Sequence, residues 1–290
     1  MGPDGRGEGR PGFRRGINDM QTRIPKRIIQ TGKSLQAPLL QRAAMASVRN
    51  LNPDFEYLFF DDNQVEKFLQ EESPEHQAVA AAFPYRIQRY DFFRYLAVYR
   101  YGGFYFDLDV ILASGLSNLL GHRAVFSFED ITLSRYMRRA FGIDWSIGNY
   151  AFGCEAGHPF LRAVIENCVR AQRDASWLPA MMQGIPKVSR REFEILNTTG
   201  PLLLCRTLAE NPALAETITI LFPDDVCEPR NWHNFGDLGV HLMEGTWREE
   251  GASLWERLSR NLEARTFRRF LRESRQLGKT RRFPPVPQPK

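Results

Sequence analysis

The sequence predicts an α/β protein with a mostly parallel central sheet and helices on both faces. Short β-like runs alternate with helical ones along most of the chain, the pattern of strands joined by crossover helices. The run Phe104 to Leu112 is nearly all apolar and aromatic apart from two aspartates, as a strand covered on both faces would be. Apolar residues make up 43% of the 290 residues and aromatics 12%, enough to fill a large core.

Taken in order, Arg27 to Gln30 is a short strand bounded by Pro25 and Gly32. Leu35 to Leu51 repeats apolar residues at helical spacing and stops at Asn52 and Pro53. Phe55 to Phe60 is a second strand, and Asp61 or Asp62 can cap a helix over Gln64 to Glu71. Tyr85 to Tyr101 carries the longest helical signal and is closed by Gly102 and Gly103. The aspartate-bearing strand Phe104 to Leu112 follows at once. Further strands are expected at Ala124–Phe128, Asn149–Phe152, Ile218–Phe222 and Gly239–Met243, with helices at Pro159–Asp174 and Gly200–Glu210. Trp177 to Glu194 is mixed in character and reads as an irregular loop over a site.

Residues 1–23 are rich in Gly and Arg and read as a disordered leader without the apolar centre of a secretion signal. The longest apolar run is Ala78 to Phe83, far short of the roughly 20 residues needed to cross a bilayer. A cytoplasmic location, peripheral to a membrane if the tail binds one, is the expectation. Cys154, Cys168, Cys205 and Cys227 lie 14, 37 and 22 positions apart, which suits buried thiols better than a zinc site or a disulfide framework. The net charge is +5, yet Arg257 to Lys290 alone carries eleven Lys or Arg against two Glu. The chain therefore divides into a slightly acidic catalytic domain over 24–250, a basic amphipathic helix over 251–277 and a disordered Pro-rich tail over 278–290. The helix could rest on an anionic membrane surface, whereas nucleic acid is not an expected partner.

Asp107 and Asp109 would be costly to bury as ions without a cation or strong donors. They are therefore placed where their strand ends, facing a ligand, since sites of open α/β sheets lie outside the carboxyl ends of the strands. Residues i and i+2 share a side of a strand, so both carboxylates can approach one divalent ion such as Mg²⁺ or Mn²⁺. Upstream, Asp91 and Arg94 share a helix face at i, i+3, and that helix runs directly into the aspartate strand. An ordinary ion pair and a pair gripping a sugar or phosphate are both compatible with this spacing.

RIQRYDFFRYLAVYRYGGFYFDLDV resembles the D-x-x-R, G-G-x-Y-x-D-x-D signature of family 32 glycosyltransferases, DxD sugar transferases related to capsular polysaccharide and fungal initiating mannosyltransferases. IPKRIIQTGK, NPDFEYLFFDD, GNYAFGCEAGHPF, NTTGPLLLCRTL and GVHLMEGTW resemble further segments of that family, in order from Ile24 to Trp247. The resemblance implies a GT-A-type fold and transfer of a hexose, with retention, from a nucleotide diphosphate sugar to a saccharide or lipid-linked acceptor, with polysaccharide biosynthesis as a natural setting. It implies Mn²⁺ or Mg²⁺ bound by Asp109, Asp107 and His241, with His233 as a competing ligand. Asp91 and Arg94 would grip the donor hexose, with Tyr105, Asn149, Gln30, Thr246 and Trp247 as further donor contacts. Ile29 and Gly32 stand where the family has His and Trp, so contacts made by those two are missing.

Front-face substitution is the expected mechanism, because no carboxylate nucleophile presents itself. Two other functions fit some of the residues. FDLDV also resembles the nucleophile strand of haloacid-dehalogenase phosphatases, with Asp224 and Asp225 as a late acidic pair, and a catalytically silent sugar-nucleotide binding protein would keep the same site. His76, His122 and His158 are read as structural.

Overall fold

In a computed structural model, residues 22–131, 135–143, 145–223, 226, 228 and 232–243 are described. Residues 1–21 of the expected leader, Asp224, Asp225, Cys227, Thr246, Trp247 and the whole basic C-terminal run lie outside them. The central sheet has six strands: β1 (Arg27–Thr31), β2 (Glu56–Phe60), β3 (Gly103–Phe106), β5 (Ala124–Phe128), β6 (Ile147–Cys154) and β7 (Thr219–Leu221). Their spatial order is β2-β1-β3-β6-β5-β7. β1 pairs in parallel with β2 and β3, and β5 with β7, while β6 runs antiparallel between β3 and β5. This is the mostly parallel α/β sheet that the GT-A expectation requires.

Strand alternation divides the interior into two layers. On one face Ile29, Tyr105, Phe126 and Phe152 pack with α2 (Asp62–Glu71), α3 (Pro74–Ala82), α4 (Arg86–Tyr101), α6 (Pro159–Arg173) and α8 (Pro201–Glu210). On the other, Ile28, Phe104, Phe106 and Tyr150 pack with Val48 of α1 (Leu39–Asn50) and with a second, three-stranded sheet. That sheet, ordered β4-β9-β8, is built from β4 (Val110–Leu112), β8 (Asn234–Phe235) and β9 (Gly239–His241).

The second sheet corrects the sequence reading. Phe104 to Leu112 is not one strand: it breaks after Phe106, turns through Asp107, Leu108 and Asp109, and resumes as β4 in the other sheet. The Val110 amide closes the turn onto the Asp107 carbonyl at 3.2 Å. A strand interior cannot shelter two carboxylates, and the bend places both aspartates in the turn that joins the two sheets. Gly239–Met243, expected as a further strand of the main sheet, belongs to the small one as β9.

Other elements differ in detail. Asp61, not Asp62, caps α2: its side chain accepts from the Gln64 amide at 2.9 Å, and Gln64 returns the bond to the Asp61 amide at 3.0 Å. α3, α5 (Arg135–Phe141) and α7 (Arg190–Thr198) were not read from the sequence. The last of these shortens the expected loop to a turn-rich stretch before Arg190. Cys154, Cys168 and Cys205 are buried and unbridged. Among the described residues no helix is long and apolar enough to cross a membrane.

The joint between α4 and β3 determines where the aspartates land. Gly102 and Gly103 have φ of 65° and 107°, values that L side chains resist. A Cβ on Gly103 would also lie 2.6 Å from the Arg27 carbonyl oxygen of the neighbouring strand. Gly103→Ala should therefore destabilise the protein by about 3 kcal/mol or more, the upper end for a residue forced into such a conformation. Urea denaturation monitored by tryptophan fluorescence would measure it, and an unchanged midpoint would contradict the assigned backbone.

Candidate metal and donor site

The turn between the sheets carries the site. Asp107 continues the β3 ladder, its amide donating to the Tyr150 carbonyl at 2.8 Å. Asp109, two residues on, is followed by β4, whose partner β9 sets His241 opposite Val110. The Leu242 amide donates to the Asp109 carbonyl at 2.9 Å, which ties the turn to the end of β9. Candidate ligand atoms of Asp107, Asp109 and His241 all lie within 4.8 Å of one another, the one His/Cys/Asp/Glu group of this kind among the described residues. His241 Nε2 is 3.1 Å from Asp109 Oδ1. Side-chain exposures of 25%, 14% and 15% leave the three groups reachable from outside.

Beneath this rim lies a buried charge network. The Arg94 guanidinium donates through Nη1 to the Asn149 carbonyl at 2.8 Å and faces Asp107 Oδ1 at 3.2 Å, while Nη2 lies 3.1 Å from Asp91 Oδ1. Its cation rests 4.6 Å from the centre of the Tyr105 ring. The Tyr105 hydroxyl donates to Asp107 Oδ1 at 2.7 Å. Asp91 also accepts from Thr199 Oγ1 at 2.9 Å and Asn149 Nδ2 at 3.1 Å.

The electrostatics follow from this layout. Burial pushes the Asp91 carboxyl up to about 7, with the Arg94 charge opposing the rise. Burial likewise raises Asp107, again against Arg94, and the neighbouring Asp109 adds to the rise. Arg94 loses hydration by burial, but Asp107, Tyr105 and Asp91 around it hold its proton firmly. For His241, burial disfavours the charged ring and Asp109 more than reverses this, so its pKa is raised.

Set against the expectations, the structure brings Asp91, Arg94, Tyr105, Asp107, Asp109, Asn149 and His241 together. Three of the expected donor contacts have their polar groups engaged below the turn. Gln30 donates from Nε2 to the Phe106 and Asp107 carbonyls, both at 3.3 Å, and accepts from the Tyr57 hydroxyl at 2.8 Å. Asn149 Nδ2 is shared between Asp91 and the Tyr95 hydroxyl, each at 3.1 Å, and Tyr105 is held on Asp107. These residues support the carboxylates. Gly32, where the family has Trp, has its missing Cβ position 2.5 Å from Leu108 Cδ1; the middle residue of the turn fills that space.

The two histidines have different partners. His233 Nδ1 faces Glu129 Oε1 at 3.3 Å, and its ring centre is 6.3 Å from that of His241. His233, with φ of 59°, accepts the His241 amide on its carbonyl at 3.0 Å, so it shapes the approach to the site. His158 is structural as read, its Nδ1 accepting from the Phe160 amide at 3.2 Å at the start of α6. His76 and His122 meet Ser73 Oγ at 2.9 Å and Thr219 Oγ1 at 3.1 Å.

Sequence reasoning missed Tyr150, whose ring stacks on His241 at 4.4 Å and 17°. It also missed Thr199, whose place in the Thr-Gly-Pro segment was the available signal, and Glu129 beside His233.

The donor set fits a hard divalent cation. Two carboxylates, Asp91 and Asp107, face the Arg94 guanidinium, the candidate ligands are two carboxylates and an imidazole, and the buried His241 Nδ1 has no hydrogen-bond partner.

Residues 38–126 match the family model described as the glycosyltransferase sugar-binding region containing a DXD motif, in agreement with the resemblance to family 32. The chain is 28% identical over 236 residues to inositol phosphoceramide mannosyltransferase 2 of Schizosaccharomyces pombe, covering 76% of this chain and 61% of that protein. It is 35% identical over 147 residues to inositol phosphoceramide mannosyltransferase 3 of the same yeast, 51% of this chain and 38% of that one. With mannosyl phosphorylinositol ceramide synthase SUR1 of Saccharomyces cerevisiae it shares 28% over 181 residues, 62% and 41% of the two chains. The chain thus spans less than two thirds of the length of these relatives. Among solved structures it is similar to the PaToxG glycosyltransferase, with TM-score 0.43, 16% identity and coverage of 67% of this chain and 72% of that one.

Because the Asp91 carboxyl is raised toward 7 on folding, the folded state binds its proton more tightly than the unfolded state does. Its contribution to stability is full below about pH 4 and is lost as pH rises through about 7. Asp91→Asn in EDTA should therefore remove part of the loss of stability between these limits. Urea midpoints at pH 4.5 and 7.5 test it: an equal shift at both would refute the assignment.

Proposed function

We propose that this chain, whose sugar-binding region is of the DXD glycosyltransferase type, is a hexosyltransferase. In this reading it moves a hexose from a nucleotide diphosphate sugar to a glycolipid acceptor, with a divalent cation. The observation that carries the reading is the convergence of Asp107, Asp109 and His241 above the Arg94 network. The printed names of the relatives support mannose as the sugar and an inositol-phosphate sphingolipid as the acceptor. They favour transfer over the phosphatase and silent-binder alternatives.

Mechanistically, Asp107, Asp109 and His241 would hold the cation, with Mn²⁺ suited to the imidazole; bound there, it supplies Lewis-acid stabilisation of the charge that develops on the leaving diphosphate. Arg94 favours the ionised form of Asp107 against its burial and keeps it aimed at the rim. Tyr105 donates to the same carboxylate and prevents it from swinging, while Gln30 clamps the main chain of the turn. A turn held at this many points loses little further freedom when donor binds, and such preorganisation is what positioning and electrostatic catalysis require. Retention by front-face substitution remains the proposed course. Glu129 lies near the site but faces His233, so it is not assigned as a nucleophile.

A panel of nucleotide sugars incubated with Mn²⁺ tests the reading through donor hydrolysis before any acceptor is chosen. Asp109→Asn is expected to lower the rate about 100-fold or more, a loss of the several kcal/mol that a Lewis acid contributes. His241→Ala should raise the Mn²⁺ concentration needed for half-maximal rate, and His233→Ala should leave it within about threefold, well short of the 10- to 100-fold typical of a lost coordinating partner. Turnover unaffected by EDTA, or cleavage of simple phosphomonoesters in place of nucleotide sugars, would overturn it.

A further inference from the structure

Besides Leu51 and Val188, the large apolar side chains left exposed on the described surface fall in two short segments. Leu35, Leu39 and Leu40 are 56%, 75% and 44% exposed, and all three lie in the segment that leaves β1 and enters α1. On the far side of the turn in the chain, Val240 and Met243 bracket the site residue His241 and are 41% and 46% exposed. Large apolar side chains left exposed in one short segment suit an interaction surface. The leucine segment starts at the site itself, since Gly32 packs against Leu108 in the middle of the aspartate turn.

Charge identifies the occupant. Between Thr31 and Leu51 there are three cations, Lys33, Arg42 and Arg49, and no acidic residue, although residues 1–256 sum to −4. All three are exposed, and Arg49 lies over the Tyr57 ring at 5.0 Å. Exposed leucines in a segment that carries basic residues and no acidic one suit an interface between acyl chains and anionic headgroups. A protein partner matched to this face would need an acidic rim around an apolar patch. A bilayer carrying anionic lipid offers both at once, and it is where a lipid-linked acceptor resides.

We infer that the segment from Lys33 to Arg42 docks on an anionic bilayer surface and so brings the aspartate turn to a membrane-embedded acceptor. The inference rests on the proposed glycolipid acceptor for its purpose but not for its test. Binding is read with vesicles of phosphatidylcholine containing phosphatidylinositol, without donor or turnover. Wild type should float with these vesicles. Leu39→Ser combined with Leu40→Ser should reduce partition at least tenfold, and Lys33→Gln about fivefold, which is about 1 kcal/mol per cation at an anionic surface. The basic run Arg257 to Lys290 is present in every protein compared, so any loss reports the leucine segment.

Mn²⁺-dependent donor hydrolysis in detergent should be unchanged in the leucine variant, which shows that it is folded. Equal flotation of wild type and both variants would overturn the inference, as would absence of flotation by the wild type. A wild-type dimer in light scattering that the leucine substitutions convert to a monomer would overturn it too, because the patch would then belong to a second copy. Failure of donor hydrolysis in every protein, with flotation differing as expected, would sink the transferase reading and leave the docking surface standing.

Discussion

Buried charge is the constraint from which the arrangement of this protein follows. Asp91 and Asp107 meet the Arg94 guanidinium beside the end of β3, and Asp109 adds its charge next to Asp107. Isolated carboxylates could not be held there without losing their ionisation, and a guanidinium could not be enclosed without acids around it. Each is tolerable only because the others are present and because neutral groups fill the remaining valences: Thr199 and Asn149 donate to Asp91, Tyr105 donates to Asp107, and the Asn149 carbonyl accepts from Arg94. The positions of α4, β3, β6 and the start of α8 are thereby linked through one group of charges.

Much of this was legible in the sequence, for identifiable reasons. The main-sheet strands are short and strongly apolar, and α4 announces itself by length and by its glycine stop. The aspartates stand out because an apolar run has no other use for them. Asp91 and Arg94 could be paired because helical spacing is fixed. The break after Phe106 could not be read, since residues on both sides of it are equally apolar. What ends the strand is a distant partner: β4 pairs with β9, and no local signal encodes that pairing. Gln30 was singled out by its place in a resemblance, and its actual bonds, to main-chain carbonyls across the sheet, have no sequence signature. Tyr150 and Thr199 are likewise ordinary residues until the fold brings them to His241 and Asp91. α3 escaped because its alanine-rich run lacks an amphipathic period, and α7 because its apolar residues are few.

The site has two tiers with different duties. The upper tier, Asp107, Asp109 and His241, retains partial exposure and an excess of acid. The lower tier, Gln30, Arg94, Tyr105 and Asn149, is sealed and nearly saturated in its hydrogen bonds. Residues that a family signature groups as donor-binding are thus divided by the structure into those that face outward and those that hold the others still.

The junction of the two sheets has a consequence for how the chain acquires its site. His241 reaches the aspartate turn only through β9, which is contributed by the most distal of the described strands, whereas the turn itself is laid down with the first half of the main sheet. Closing so long an intervening loop is entropically costly and is rewarded only after the central layers have condensed. The acidic turn and its imidazole therefore meet late in folding, when the surrounding core already exists to hold them in register.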